Sequence, residues 1–334
     1  LNTTTVEIGP GGQKAIKLTI QPSAPIGLYS GKIKITDNYT QTYNLIFGVT
    51  ILNTLSIHKI PMEGPGQEHF VEGDIVGVNI LDPDSALEFY AGRRWGQFDG
   101  AGNAHFFLPN GTYEVYTLGE YNYKPVFLAY DNLALTDNTE ITLDERTSYE
   151  VVFDPAKSGQ VFAEVFHGLG SGWICPPSLG ICYIVTGPWW IGYYPRETSV
   201  YYSYSTVMWS IDRYVYYPVS DVNPSDPRII STNIWHDLIY VEKEISSSKT
   251  RVADYTQLVT KHTEYRTSAA PRQSAERTIW AYRYPTEVIG TISWLMNVPY
   301  SRTEIVTPDT SFYGFYRKVA DLPGFTTPYW EYYG

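Results

Sequence analysis

The sequence is poor in cysteine, methionine and charge. Its 334 residues include 2 Cys and 3 Met, and charged residues make up 18%, against about 25% in an ordinary soluble domain. No apolar run approaches the roughly 20 residues that a membrane-spanning helix needs. The net charge of -11 opposes binding to nucleic acid or to an anionic membrane surface. We therefore expect neither a membrane span nor a nucleic-acid partner.

Metal-ligand spacing is also missing. A zinc site needs His or Cys residues at short, regular intervals, whereas the histidines are spread along the whole chain. They are His58, His69, His105, His167, His236 and His262. We expect no zinc centre and no cofactor.

Aromatic residues and turn formers are abundant. Tyr (30), Phe (13) and Trp (9) bring the aromatic content to 16%, and 27 Gly and 22 Pro fall between short β-branched and aromatic runs. Such spacing is typical of short strands joined by turns. The composition therefore predicts an all-β fold, and the length is enough for about two domains.

Charge divides the chain into three segments. Residues 1–52 hold 4 basic and 2 acidic residues, residues 53–155 hold 5 and 17, and residues 156–334 hold 15 and 16. Because nearly all of the net acidity lies in the middle, we expect domain boundaries near Ile51–Thr54 and near Asp154-Pro155.

The first segment predicts three or four strands, at Thr3–Ile8, Ala15–Ile20, Gly31–Ile35 and Tyr43–Leu52. Its Pro10-Gly11-Gly12 turn, the strand end Thr19-Ile20-Gln21-Pro22, the approach Gly27-Leu28-Tyr29-Ser30-Gly31 and the final Val49-Thr50-Ile51 carry a resemblance. They resemble the second half of the fibronectin-III-like domain that follows the catalytic domain in secreted subtilisin-like proteases. An immunoglobulin-like sandwich has about seven strands, so the resemblance implies a partial sandwich in residues 1–52.

The middle segment predicts a second, acidic sandwich. We expect strands at Val76–Leu81, Leu87–Tyr90, His105–Leu108, Thr112–Tyr116 and Tyr149–Phe153. The loop Pro109-Asn110-Gly111 that leads into a strand is typical of carboxypeptidase-regulatory-like or transthyretin-like modules. The run Glu140–Arg146 resembles the end of the same accessory module in long bacterial and archaeal subtilases.

The third segment, residues 156–334, predicts a larger β-sandwich domain rich in Tyr and Trp. Its aromatic residues cluster before an expected strand at Met208–Ile211; they are Trp189, Trp190, Tyr193, Tyr194, Tyr201, Tyr202 and Tyr204. Leu258–Tyr265 fits either a short helix or a strand. Val298–Glu304 resembles a short sequence that recurs in the far C-terminal region of those subtilases. Along most of the chain, the resemblance rests on the order of the modules.

The catalytic motifs of a subtilase are absent. The sequence contains no Asp-Ser/Thr-Gly, no His-Gly-Thr and no Gly-Thr-Ser-Met-Ala. Ser171, in the nearest fragment His167–Gly172, lacks the spacing of a nucleophile. Glu242 and Glu244 share one face if they lie on a strand, but such acidic pairs arise often by chance. We therefore expect that the chain is not an enzyme.

Two kinds of ligand remain open. The acidic loops Asp82-Pro83-Asp84 and Asp99–Asn103 either hold a structural calcium ion through oxygen ligands or are solvated turns. Trp189 and Trp190 either stack against a carbohydrate or fill a sandwich core or a subunit interface.

Cys175 and Cys182 predict a disulfide that closes a small loop, because an even count of cysteines is typical of secreted chains. Two buried thiols are the alternative. Sequons at Asn2, Asn38 and Asn110 are candidate glycosylation sites. Since no signal peptide precedes Leu1, we expect a mature extracellular fragment.

These observations favour a non-catalytic extracellular structural protein that self-assembles through β-strand complementation into a filament, tube or surface assembly. A partial sandwich leaves an open sheet edge and an apolar face, and both recruit other chains. Candidate donor strands are Leu1–Ile8 and Tyr329–Gly334, unless the remaining strands pair within the chain itself. The alternative function is a carbohydrate- or substrate-docking accessory module of a secreted subtilisin-like protease.

Overall fold

The computed structural model describes residues 12–13, 27–36, 39, 41–62, 73–83, 86–174, 183–193, 198–218, 234–265, 273–283, 291–298, 300–308, 310–318 and 326–333. Within these ranges the chain forms 22 β-strands, one short α-helix and one 3-10 turn. The prediction of an all-β fold with sandwich packing is confirmed.

A two-stranded ribbon comes first. Strand β1 (Gly27–Thr36) pairs antiparallel with β2 (Thr42–Ile51), and neither strand pairs with a third among the residues that the structure describes. These are the last two strands predicted for residues 1–52. The strands predicted at Thr3–Ile8 and Ala15–Ile20 lie outside the described residues.

Two packed sheets follow. The smaller has the order β6-β3-β9, with β3 at Asn53–Ile60, β6 at Asn103–Leu108 and β9 at Thr139–Asp144. Burial alternates along β3 and β6, which places one side of each strand inward. The inward residues Leu55, Ile57 and Phe106 share one hydrophobic core with Val78 and Val115 of the larger sheet. The two sheets therefore form a β-sandwich.

The larger, seven-stranded sheet has the order β16-β10-β13-β8-β7-β4-β5. Its strands are β4 (Ile75–Ile80), β5 (Arg94–Gln97), β7 (Gly111–Tyr121), β8 (Lys124–Leu135), β10 (Tyr149–Asp154), β13 (Ser199–Tyr202) and β16 (Lys249–Val252). β13 runs parallel to β8, and β16 runs parallel to β10. The sheet thus continues across the expected boundary at Asp154-Pro155, and the division into domains 53–155 and 156–334 stays a prediction.

A six-stranded sheet covers the second face of the seven-stranded sheet. Its order is β12-β11-β14-β15-β20-β17, with β11 at Gln160–Ile174, β12 at Tyr183–Tyr193, β14 at Met208–Pro218, β15 at Ile234–Glu242, β17 at Val259–Tyr265 and β20 at Tyr300–Val306. Leu169 and Met208 of this sheet pack with Phe127 and Val200 of the seven-stranded sheet. The seven-stranded sheet is therefore the middle of three β layers, which explains the nearly continuous burial along β7.

The last sheet is antiparallel and four-stranded. Its order is β19-β18-β21-β22, with β18 at Gln273–Arg283, β19 at Thr291–Val298, β21 at Thr310–Lys318 and β22 at Thr326–Tyr333. Tyr329–Tyr333, part of the expected C-terminal donor, lies in β22 and pairs with β21 of the same chain.

One strand prediction is wrong. Residues Leu87–Tyr90 lie in the helix α1 (Ala86–Ala91), because Ala, Leu and Glu favour a helix and a run this short cannot be distinguished from a strand by its pattern. The region Leu258–Tyr265, whose sequence fits either a short helix or a strand, contains strand β17. Residues Glu145–Thr147 form the 3-10 turn. In the described part of the chain, no helix has the length and apolarity to cross a membrane.

Candidate functional site

The β1–β2 ribbon has one wholly apolar face. Directly paired residues point to the same side of a sheet, and the register pairs Tyr29 with Val49, Ile33 with Leu45 and Ile35 with Tyr43. The apolar ribbon face consists of Tyr29, Ile33, Ile35, Tyr43, Leu45, Phe47 and Val49. Exposure reaches 55% at Tyr43 and 56% at Leu45. Tyr29 and Ile35 of this face are exposed as well.

The opposite face of the ribbon is polar and basic. It carries Lys32 and Lys34 on β1, and Asn44 lies opposite Lys34 on β2. Neither strand contains an acidic residue. Ile46, which is 77% exposed, is a large apolar side chain on this face. The ribbon is therefore amphipathic, with a positive charge on its polar side.

A buried charged cluster joins two of the layers. Asp212 of β14 accepts hydrogen bonds at Oδ1 from Tyr202 Oη at 2.7 Å, and its Oδ1 lies 2.6 Å from His167 Nδ1. Arg251 forms an ion pair with Asp212 Oδ2. His167 and Asp212 belong to the six-stranded sheet, whereas Tyr202 and Arg251 belong to the seven-stranded sheet. The cluster thus ties the two sheets together by polar contacts.

The charges in this cluster compensate each other. Burial by itself raises the pKa of Asp212, but the Arg251 guanidinium and the hydrogen bond with His167 hold that pKa below its ordinary value. Burial, and then the neighbouring Asp212 carboxylate, raise the pKa of both Tyr202 and Tyr214 well above the usual range. Both phenols are therefore neutral, and Tyr202 donates its hydrogen bond to an ionised Asp212.

His167 is the residue of the cluster that could take part in acid–base chemistry. Its Nδ1 faces Asp212, and its Nε2 is buried without a hydrogen-bond partner among the described residues. Ser210, the serine nearest in sequence to Asp212, instead donates to the Glu242 carbonyl at 3.0 Å and accepts from Arg251 at 3.3 Å. The contacts of Ser210 therefore do not form the Ser-His-Asp relay of a hydrolase. The expectation that the chain is not an enzyme stays a prediction.

The two tryptophans that are candidates for stacking against a carbohydrate lie on β12. Trp189 is 61% exposed and stacks on Phe166, with ring centroids 6.4 Å apart. Trp190 is half-buried and stacks on His167, with ring centroids 5.7 Å apart. As neighbours on one strand they point to opposite faces, so the structure does not bring them together in one platform.

Most of the residues predicted for covalent modification lie outside the described residues. These are Cys175, Cys182, Asn2 and Asn38. Asn110 is described and lies exposed before β7, where its Oδ1 accepts a hydrogen bond from Asn53 Nδ2 at 2.8 Å.

The carboxylates that were candidates for catalysis are not brought together. Glu242 at the end of β15 forms ion pairs with Lys249 and Arg251. Glu244 is exposed in the following loop with a φ of 57°. Ser171 lies in β11 opposite Met208.

The acidic loops have partners within the protein. Asp82 accepts from the backbone and hydroxyl of Thr112 at 2.8 and 3.1 Å, and Asp99 Oδ1 accepts from the backbone of Ala101 and Asn103. Asp84 lies outside the described residues. Over the part of the chain that is described, no group of three or more His, Cys, Asp or Glu residues is placed to hold a metal ion.

The sequence contained an unused signal for the charged cluster. Asp212 and Arg213 interrupt the otherwise apolar and aromatic strand β14, and charges within a buried strand need partners. Residue type alone did not reveal that His167 and Arg251, far away in sequence, are the partners of Asp212.

No family model matches the chain, and no curated protein matches it. Among solved structures, the Bacillus anthracis TIE protein is similar over 94% of this chain and 59% of that chain, with 11% identity and a TM-score of 0.20. The chain thus spans less than two thirds of that protein's length. A tetra-tandem repeat in the extending region of a large adhesion protein covers 93% of this chain and 82% of that chain, at 7% identity and a TM-score of 0.15. Such low TM-scores do not show a shared fold, and the resemblance to subtilase accessory regions stays a prediction.

Proposed function

We propose that the chain is a non-catalytic structural protein of the cell exterior that associates with further copies of itself through the apolar ribbon face. The observation that carries this proposal is the exposure of Tyr29, Ile35, Tyr43 and Leu45 on one side of a two-stranded ribbon. An isolated ribbon buries little apolar surface and is marginal in water. A covering layer from another copy removes this surface from water.

The open edges of the ribbon support the same proposal. Among the described residues, β1 and β2 pair only with each other, so each strand offers one edge to a further strand. Backbone hydrogen bonds give affinity in such strand addition, and alternate side chains fix the register. β22, at one edge of the four-stranded sheet, is the described strand that contains the predicted C-terminal donor.

Charge favours a head-to-tail arrangement. The ribbon carries Lys32 and Lys34 and no acid, whereas residues 53–155 hold 17 acidic and 5 basic residues. The ribbon of one copy is therefore attracted to the middle segment of the next copy. A contact between two different surfaces does not have to close, so it extends into a filament or tube.

The test is the molar mass of the purified chain in solution. Static light scattering over a wide concentration range should give values that rise above the 37.9 kDa of one chain. Leu45→Ser removes a central side chain of the apolar ribbon face and should reduce association several-fold. Negative-stain electron microscopy of the associated material should show fibres or tubes.

The adjacent residue provides a matched control. Ile46 is even more exposed than Leu45, at 77% against 56%, but it lies on the polar face, so Ile46→Ser should leave association unchanged. A wild-type chain that stays at the mass of one copy at every concentration contradicts the proposal. An equal loss in both variants contradicts the assignment to the apolar ribbon face.

Carbohydrate binding is a second candidate function, and Trp189 is the observation that favours it. Its indole is 61% exposed and is supported from behind by Phe166, which is a suitable arrangement for stacking against a sugar ring. A glycan panel should then show a ligand whose binding is lost in Trp189→Ala. Binding that persists in this variant contradicts the assignment.

A further inference from the structure

Lys59 is a fully buried cation between two carboxylates. It lies on β3 in line with the inward-facing residues Leu55 and Ile57. Its Nζ is 2.5 Å from Asp74 Oδ2 and 2.6 Å from Glu145 Oε1. An ammonium group in such a position has exchanged all of its hydration for two acidic neighbours.

The three side chains converge on Gly119 of β7. A Cβ atom at Gly119 would collide with Lys59 Nζ, Asp74 Oδ2 and Glu145 Oε1 together. The absence of a side chain there leaves the space in which the three polar groups meet. The site therefore lies between the small sheet, which carries Lys59, and the seven-stranded sheet, which carries Gly119.

The two carboxylates differ in their surroundings. The Glu145 side chain is fully buried, and its Oε2 accepts the backbone N–H of Met62 at 2.8 Å, which fixes its position. The Asp74 side chain is 14% exposed. The buried Phe98 ring lies 5.7 Å from Lys59 Nζ. Glu145, which is fixed and shielded from water, is suited to transferring protons. Asp74, which reaches the solvent boundary, is suited to releasing a water molecule.

We propose that Lys59 and Asp74 condense to an intramolecular isopeptide bond and that Glu145 relays the protons. One proton passes from the Lys59 ammonium through Glu145 to the Asp74 carboxylate, which gives a neutral amine and a neutral carboxylic acid. The Nζ lone pair then attacks Asp74 Cγ and forms the N–C bond. Glu145 takes the second amine proton and delivers it to the departing hydroxyl, so the C–O bond breaks and one water molecule leaves. Glu145 ends as the carboxylate that it was at the start, and no oxidant or reductant is needed.

Burial favours this reaction. Moving one proton from the ammonium to the carboxylate removes two charges from a low-dielectric site. Holding the amine against the acid replaces a bimolecular encounter by an intramolecular one, which raises the effective concentration greatly. The bond closes the loop between residues 59 and 74 and fixes β3 to the start of β4. This inference does not depend on the proposed self-association.

The experiment is the intact mass of the full chain after reduction and denaturation. We expect a mass lower than that of the sequence by one water molecule. Protease digestion should yield a branched peptide that contains both Lys59 and Asp74, and an amine-labelling reagent should fail to modify Lys59 in the unfolded chain. Lys124 is the internal control, because it also pairs with a carboxylate, Glu150 at 2.8 Å, but both side chains are partly exposed; it should be labelled fully.

Variants separate the roles of the residues. Lys59→Arg and Asp74→Ala should restore the full sequence mass, and Glu145→Gln should slow the loss of water at least tenfold. Lys124→Arg should leave the loss of water unchanged. A wild-type chain of full sequence mass with Lys59 labelled overturns the proposal, and this result does not depend on whether any variant folds. A branched peptide that joins Lys59 to Glu145 overturns the assigned roles, and a loss of water mapped elsewhere overturns the site.

Discussion

The ring of Phe47 lies directly over Gly31 on the paired strand, in the space that a side chain at Gly31 would occupy. An aromatic ring that covers the backbone of a cross-strand glycine fixes the register of two strands. In the β1–β2 ribbon, which lacks a third strand in the described part of the chain, this contact is a main determinant of pairing.

Phe47→Ala should therefore loosen the ribbon without unfolding the rest of the chain. We expect amide hydrogen exchange in β1 and β2 to become several-fold faster, since a cross-strand pair contributes about 1 kcal/mol at most. Hydrogen-exchange mass spectrometry measures this change. Ile46→Ala, on the opposite face, is the control, and equal acceleration in both variants would show that the pairing of Phe47 with Gly31 has no special role.

Asp212→Asn should destabilise the three-layered body strongly. The substitution keeps the size of the side chain but removes the buried counter-charge of Arg251 and leaves it only the partly exposed Glu242, and breaking such a buried pair costs about 3–5 kcal/mol. Urea unfolding followed by circular dichroism gives the free energy of unfolding. Glu242→Gln is the control, because Glu242 also pairs with Arg251 but its side chain is 40% exposed, so its loss should cost about 1 kcal/mol or less.

Glu114 makes the stability of the chain fall as the pH rises from about 4.5 to about 8. Burial, and then the neighbouring Asp131, raise the pKa of Glu114 from 4.5 to about 8. The stability contributed by its protonated form is complete below pH 4.5 and is lost as the pH rises to about 8, because the unfolded chain ionises first. Glu114→Gln cannot ionise, so its melting temperature should fall less between pH 5 and pH 9 than that of the wild type.

The size of this effect is a few kcal/mol at most, since one pKa unit corresponds to about 1.4 kcal/mol. Glu120→Gln, at an exposed position on the same strand, should follow the wild type at both pH values. Identical pH dependence in Glu114→Gln and in the wild type would show that Glu114 is not protonated in the folded chain.

The two adjacent tryptophans should differ in their effect on stability. Trp190→Ala removes the ring that stacks on buried His167 and should lower the free energy of unfolding by about 2–3 kcal/mol, somewhat less than for a fully buried Trp. Trp189→Ala removes a mostly exposed ring and should cost about 1 kcal/mol or less. Chemical denaturation of both variants measures the difference, and a larger loss for Trp189 would contradict the assigned burial.

Local patterns in the sequence predicted much of the strand content. β1, β2, β4, β6 and β10 are found where alternation and turn residues indicated them. Alternation in β3 also places Lys59 at an inward position, a signal that was available but not used. The strand predicted at Leu87–Tyr90 failed because a run of four residues, three of them apolar or aromatic, fits a helix equally well.

The sequence did not predict which strands that are distant along the chain pair with each other. β13 and β16 are only four residues long each, and nothing in their residues specifies that they join β8 and β10. The partners of Asp212 were hidden for a similar reason, because His167 reaches it through the pairing of β11 with β14 and Arg251 reaches it through the pairing of β16 with β10. Periodicity indicates which side of a strand is buried but not which strand lies beside it.

The parallel pairing of β16 with β10 also sets an order of events at the ribosome. The seven-stranded sheet receives its strands from residues 75 to 252, so it stays incomplete until residue 252 has left the exit tunnel. Until then β10 exposes an edge of unsatisfied backbone groups, and a nascent chain in this state is prone to mispairing. Closing contacts between segments so far apart is slow. Correct maturation of this protein therefore depends on protection of the β10 edge from other strands while residues 155–252 are synthesised.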